Sequence, residues 1–180
     1  MAQIDSLNMI KLGKKDYQYN LNDIWGFTDA NGSEYALFGT MGSFKVVDVT
    51  NPPNLVEKIS IPGAQSLWRD VKSWSHYAYV CHDYQYGWSG NPDEGITIVD
   101  LDSLQNPRFK RFKPTFMVPQ GFEDTLSTAH NIFIDENGIL YVFGASGAAG
   151  LPIYSGGALM FDLSQDPWNP TYVGKFDQYY

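Results

Sequence analysis

Three stretches of this 180-residue chain carry the same succession of short apolar runs, and that repetition limits the folds open to it more than any other feature. The first reads Asp23-Ile-Trp-Gly-Phe-Thr-Asp29, Glu34-Tyr-Ala-Leu-Phe-Gly39, Phe44-Lys-Val-Val-Asp-Val49 and Asn51-Pro-Pro-Asn-Leu-Val-Glu-Lys-Ile59. The second reads Arg69-Asp-Val-Lys-Ser-Trp74, His76-Tyr-Ala-Tyr-Val80, Gly95-Ile-Thr-Ile-Val-Asp-Leu101 and Asn106-Pro-Arg-Phe-Lys-Arg111. The third reads His130-Asn-Ile-Phe-Ile-Asp135, Ile139-Leu-Tyr-Val-Phe-Gly144, Gly157-Ala-Leu-Met-Phe-Asp-Leu163 and Asn169-Pro-Thr-Tyr-Val-Gly-Lys-Phe176. Each run is short, alternating and rich in β-branched or aromatic residues, so each reads as a strand. Asn31-Gly32, Ser75-His76 and Asn137-Gly138 join the first two strands of each unit as hairpin turns, Asn-Gly because both residues tolerate positive φ. The third strand of each unit ends in an apolar residue followed by Asp48, Asp100 or Asp162, with an Asn-Pro shortly after. The Asp is placed to accept hydrogen bonds from the turn backbone that the Pro pre-sets.

The equivalent Asp residues lie 52 and then 62 residues apart. Four-stranded units of that size predict an all-β fold of the β-propeller kind, since solenoid repeats are shorter. The predicted layout is an N-terminal segment over 1–20, which completes a neighbouring blade or stands apart, then blades over 21–66, 67–128 and 129–180. The extra length falls in loops at Asp83 to Glu94, Lys113 to Thr128 and Ala145 to Gly156. Three blades are fewer than the four to eight that close a ring. The chain also stops where a further blade would start. The expectation is a partial propeller, either a piece of a longer one or one completed by another chain or copy. Composition agrees: aromatic residues make up 16 %, with 17 Gly and 10 Pro, and helix-forming runs are missing.

A formal charge of −8 repels phosphate backbones and argues against nucleic acid as a partner. The one basic cluster, Arg108 to Lys113, reads as a solvated edge strand. The single cysteine, Cys81, sits in an apolar run and reads as a buried strand residue. No segment reads as membrane-spanning, and Met1 to Lys15 holds no apolar stretch of signal-peptide length.

Val46-Val47-Asp48, Ile98-Val99-Asp100 and Leu159-Met160-Phe161-Asp162 resemble the LVIVD repeat of bacterial surface proteins. With Asp23-Ile-Trp-Gly26, Leu67-Trp-Arg-Asp-Val71, Ala129-His-Asn-Ile132 and Asn169-Pro170, the chain from about Leu21 to Tyr180 is similar to the choice-of-anchor B family. That resemblance implies a propeller that is exported and held at the cell surface by a C-terminal anchor. Members of the family are longer than this chain, which carries no anchor or sorting signal. The resemblance adds a location and a fold, and no chemistry.

First strands line the centre of a propeller, so their starts converge. Here those starts read Asn22-Asp23, Arg69-Asp70 and His130-Asn131, all polar. Asp23, Arg69, Asp70, His130 and Asn131 are therefore the candidate ligand site at the channel mouth. The plainer alternative is a buried network in which Arg69 pairs with Asp23 or Asp70 and ties neighbouring blades together. His82, Tyr84, Tyr86 and Trp88 open the first insertion and form a second candidate site, where rings stack on a sugar or peptide and polar edges orient it. The alternative there is a loop folded over its own aromatics.

No cofactor is called for. Asp83, Asp93 and Glu94 offer oxygens to calcium or another divalent ion, without regular calcium-loop spacing. Gly144-Ala-Ser-Gly-Ala-Ala-Gly150 lacks the Lys and the helix of a phosphate loop. The three histidines show no metal spacing, and no serine sits in a nucleophile elbow. The leading expectation is a non-catalytic extracellular module that binds a protein, peptide or glycan. The rivals are a metal-assisted hydrolase or lyase using Asp23, Asp70 and His130, and a structural subunit of a surface assembly.

Overall fold

Each of the three repeats folds as one antiparallel four-stranded sheet with its strands in chain order. The structure is a computed structural model that describes residues 9–83 and 93–178. The first sheet is β1 (Leu21–Thr28), β2 (Glu34–Thr40), β3 (Ser43–Asp48) and β4 (Val56–Pro62). The second is β5 (Val71–Trp74), β6 (Tyr77–Val80), β7 (Ile96–Asp100) and β8 (Arg108–Phe112). Next come β9 (Thr115–Met117), β10 (Glu123–Thr128), β11 (Asn131–Ile134), β12 (Ile139–Phe143), β13 (Ser146–Gly147), β14 (Ala158–Asp162) and β15 (Thr171–Phe176). Strands β11, β12, β14 and β15 form the third sheet. Among the described residues there is no α-helix, hence none long and apolar enough to cross a membrane.

The sheets pack face to face, and the two-residue period of the strands decides what goes where. Leu37, Phe44, Val46 and Ile59 of the first sheet meet Val71, Ala78, Val80 and Val99 of the second. The intervening residues Tyr79, Cys81, Ile96 and Ile98 point the other way, against Ile132, Leu140, Val142 and Leu159 of the third. The second sheet is thus covered on both faces, and every residue of β7 is buried. Each such aliphatic side chain contributes roughly 1.5–3 kcal/mol by leaving water. Cys81 is fully buried, and burial pushes its thiol up to about 12. Strand β8 is an edge, as the basic cluster predicts; Arg108 and Lys110 lie over the Trp168 ring at 4.5 and 5.1 Å.

The expected Asp device recurs in all three sheets. Asp48 accepts from the Thr50 N–H at 3.0 Å, Asp100 from Asp102 at 3.1 Å and Asp162 from Ser164 at 2.7 Å. The Asn-Gly turns differ from expectation in one respect. Gly32 and Gly138 take φ of 83° and 80°, whereas Asn31 and Asn137 keep negative φ. The reason is an aspartate at the head of each loop. Asp29 accepts the N–H groups of Asn31 and Ser33 and the Tyr35 hydroxyl, and Asp135 does the same with Asn137, Ile139 and Tyr141. A single left-handed residue then closes the turn.

These bonds have a pH signature. Asp29 is held below its ordinary value of 3.8 chiefly by the Ser33 N–H, and Asp135 chiefly by that of Ile139. Asp48 and Asp162 are lowered too, chiefly by Thr50 and Ser164. A carboxyl depressed by folding stabilises the fold above its unfolded value, and that contribution is lost as pH falls through the folded value. The urea midpoint is therefore expected to drop as pH falls below 3.8, and to drop less when Asp29 and Asp135 are both Asn. An equal drop in that variant contradicts the assignment.

The second and third insertions hold more structure than the expected loops. Strands β13, β10 and β9 form a small sheet in that order. It seats Phe116, Val118 and Leu126 on the core between the second and third sheets. Residues 9–20 carry no strand, and Tyr17 among them lies on the outer face of the first sheet. There Tyr17 meets Phe38 edge-on at 5.2 Å and Lys45 stands 5.5 Å from the Tyr17 ring.

Candidate functional site

Strands β1, β5 and β11 lie side by side, and side chains at their starts fasten one to the next. Asp23 of the first sheet accepts the N–H of Val71 at 3.2 Å. One sheet further on, Asp70 accepts the N–H of Ile132 at 2.8 Å. Asp23, Asp70 and Asn131 are equivalent in the repeat, so one device operates twice, and Asn131 holds its third position. Farther along the strands the Trp25 indole N–H donates to the Ser73 hydroxyl at 2.9 Å.

Around these starts lies a cavity of about 400 Å³, lined by Asn22, Asp23, Leu67, Trp68, Arg69, Asp70, Lys72, His130 and Asn131. The five residues expected at the mouth are thus brought together. Their roles differ. Lys72, rather than Arg69, bridges the carboxylates, its ammonium 2.5 Å from Asp70 and 3.1 Å from Asp23. Strand geometry explains this, because Asp70 and Lys72 are two residues apart and share a face. The expected pairing of Arg69 with Asp23 or Asp70 is therefore replaced. The Arg69 guanidinium turns into the protein, toward the carbonyls of Thr40 and Ala64 and 3.8 Å from Glu94. Gly39 and Gly63 leave room for it, since a Cβ would stand 2.8 Å from the Arg69 Cβ and 3.1 Å from its Nη1 respectively.

The two carboxylates divide their charge unequally. Burial and the contact with Asp23 raise the Asp70 carboxyl above the ordinary range. Burial also works to raise Asp23, but its bonds to Asp70, Val71 and Lys72 prevail and hold it low. The pair beside one ammonium carries a charge nearer to neutral than two free carboxylates would. His130 is exposed, with Nδ1 2.7 Å from the Asp83 carboxylate. Trp68 has its backbone tied to Ser66, lines the cavity and is 48 % exposed as a residue.

Of the second candidate site, Tyr84, Tyr86 and Trp88 lie outside the described residues. His82 is an interior residue, 2 % exposed, with Nδ1 3.6 Å from Glu94. The carboxylates weighed for calcium each face basic or imidazole groups: Asp83 meets His130, Asp93 meets Lys113, and Glu94 meets Arg69, His82 and Arg111. Donor atoms of His76, Asp100 and Asp102 lie within 4.8 Å of one another, at the end of the second sheet away from the cavity. Asp100 is already engaged there by the Asp102 N–H and lies 3.7 Å from Arg108.

Residue types and spacing brought Asp23, Arg69, Asp70, His130 and Asn131 to notice. Lys72 and Trp68 escaped it, although the two-residue step from Asp70 would have found the lysine. No family model, no curated protein and no solved structure matches the chain.

Proposed function

We propose that the three sheets are consecutive blades of a β-propeller, and that the chain is a non-catalytic binding module of an extracellular or cell-surface protein. The support for the propeller is the repeated inner-strand link, Asp23 to Val71 and Asp70 to Ile132, between sheets packed face to face. The cell-surface placement follows from the likeness to LVIVD-repeat and choice-of-anchor B proteins.

The observation that carries the binding role is the cavity of about 400 Å³ where three first strands begin. Its wall combines an exposed Trp68 with amides at Asn22 and Asn131 and the carboxylates of Asp23 and Asp70 bridged by the Lys72 ammonium. A flat apolar ring beside polar edges is the arrangement that takes a saccharide, the ring stacking on a sugar face while amides and carboxylates orient its hydroxyls. Asp70 is occupied by two backbone N–H groups and Lys72, which favours a holding role over proton transfer.

The test is a glycan array probed with the full chain. Trp68→Ala is expected to weaken retention of the bound glycans about tenfold, the equivalent of about 1.4 kcal/mol of stacking. Unchanged retention by Trp68→Ala, or cleavage of the bound glycan, contradicts the reading.

A further inference from the structure

Where the first strands begin, the positive charge is already engaged and part of the negative charge is not. Two cations line the cavity. The Arg69 guanidinium is turned into the protein, and the residue is 3 % exposed. The Lys72 ammonium has three N–H donors. Asp70 Oδ1, Asp23 Oδ2 and the Val71 carbonyl take them at 2.5, 3.1 and 3.0 Å. Arg69 faces away, and Lys72 has no donor left for an anionic ligand.

The carboxylates differ. Asp70 is buried, with one oxygen shared by the Val71 N–H and Lys72 and the other held by the Ile132 N–H. The Asp23 side chain is 40 % exposed, and the Val71 N–H and the Lys72 ammonium both bond its Oδ2. A carboxylate oxygen accepts about two hydrogen bonds, so Oδ1 is the acceptor that Asp23 has to offer. Asp83, 2.7 Å from His130, adds a third carboxylate against the one ammonium. Trp68 borders the same space. An aromatic ring beside an exposed carboxylate attracts a cation, through the ring quadrupole and through charge-assisted hydrogen bonds. The formal charge of −8 draws cations from further out.

We infer that the saccharide taken at this cavity is an amino sugar with an unacetylated, positively charged amine, its ammonium on Asp23 Oδ1 and against Trp68. The inference rests on the saccharide reading above and adds the charge of the sugar. A uronic or sulfated sugar meets an ammonium with no N–H to give. An N-acetylated sugar brings no charge to Asp23.

Isothermal titration calorimetry of the full chain with a glucosamine hexamer, its N-acetylated counterpart and a galacturonate hexamer tests it. The glucosamine hexamer is expected to bind about tenfold more tightly than the N-acetylated one, and the galacturonate hexamer to give no binding heat. Asp23→Asn, which keeps an oxygen for the Val71 N–H, is expected to remove that difference. The native chain gives a second reading that needs no variant to fold. There the preference is expected to fade as pH rises and the sugar amine loses its proton, and His130, common to both titrations, cancels from their ratio. Hexalysine, a cation without a sugar ring, is expected not to displace the glucosamine hexamer. Equal affinities for the two hexamers, tighter binding of the N-acetylated or galacturonate hexamer, displacement by hexalysine, or a preference that survives Asp23→Asn overturns the inference. On the glycan array, retention of glycans without a free amine alone overturns the amine assignment and leaves the saccharide reading standing, whereas retention of no glycan overturns both.

Discussion

Asp70→Ala is expected to lower the unfolding free energy by about 3 kcal/mol, seen as a shift of the urea midpoint at unchanged slope. The side chain is 6 % exposed and accepts from Val71 and Ile132 N–H groups and from the Lys72 ammonium. Alanine leaves the Ile132 N–H without its partner between two sheets, and a buried donor left unsatisfied costs about 1–3 kcal/mol by itself. Lys72 keeps Asp23, which limits the electrostatic part of the loss. Asp70→Asn preserves a carbonyl oxygen for Ile132 and is expected to lose less than half as much. A loss below about 0.5 kcal/mol for the alanine variant, the range of an ordinary surface change, contradicts the role assigned to this residue.

Glu94→Ala is the second large effect. Glu94 accepts the Ala64 N–H at 3.0 Å and meets Arg111 at 3.0 Å, with Arg69 and His82 at 3.8 and 3.6 Å. Arg69 is 3 % exposed, and burial pushes its guanidinium down while Glu94 works to keep it charged. Removing the carboxylate strands a buried cation, and breaking such a pair costs about 3–5 kcal/mol. The expected loss is near the lower figure, because carbonyls of Thr40 and Ala64 still hold the guanidinium. Glu94→Gln, which retains an acceptor for the Ala64 N–H, is expected to fall between the native chain and Glu94→Ala. Equal urea midpoints for Glu94→Ala and the native chain contradict this account.

Much of this was legible in the sequence, and the reasons are physical. Four-stranded sheets were readable because strand alternation and turn chemistry are local: Val46-Val47-Asp48 and its two counterparts mark both a strand end and the aspartate that caps the next turn. Convergence of Asp23, Asp70 and Asn131 was readable because equivalent positions of a repeat occupy equivalent places. What escaped depends on the direction of long side chains. Arg69 and Lys72 are both cations near Asp70, and only packing decides that Arg69 turns to Glu94, which lies 25 residues further on, while Lys72 bridges the carboxylates. The small sheet of β9, β10 and β13 was missed for a different reason. Thr115-Phe-Met117 does alternate, but the run is short, and Phe116 is buried by residues of other repeats rather than by its neighbours. His82 opens an insertion and so reads as a loop residue from sequence; it instead lies in the interior beside Glu94.

Everything rests on β1, β5 and β11 being neighbours in that order. Nuclear Overhauser effects in the full chain measure this directly. The arrangement predicts cross-peaks from the Val71 amide proton to the Asp23 β-protons, and from the Ile132 amide proton to the Asp70 β-protons. Cross-peaks that instead join the outer strands β4 and β8 to the next sheet's first strand, with none among β1, β5 and β11, would contradict it.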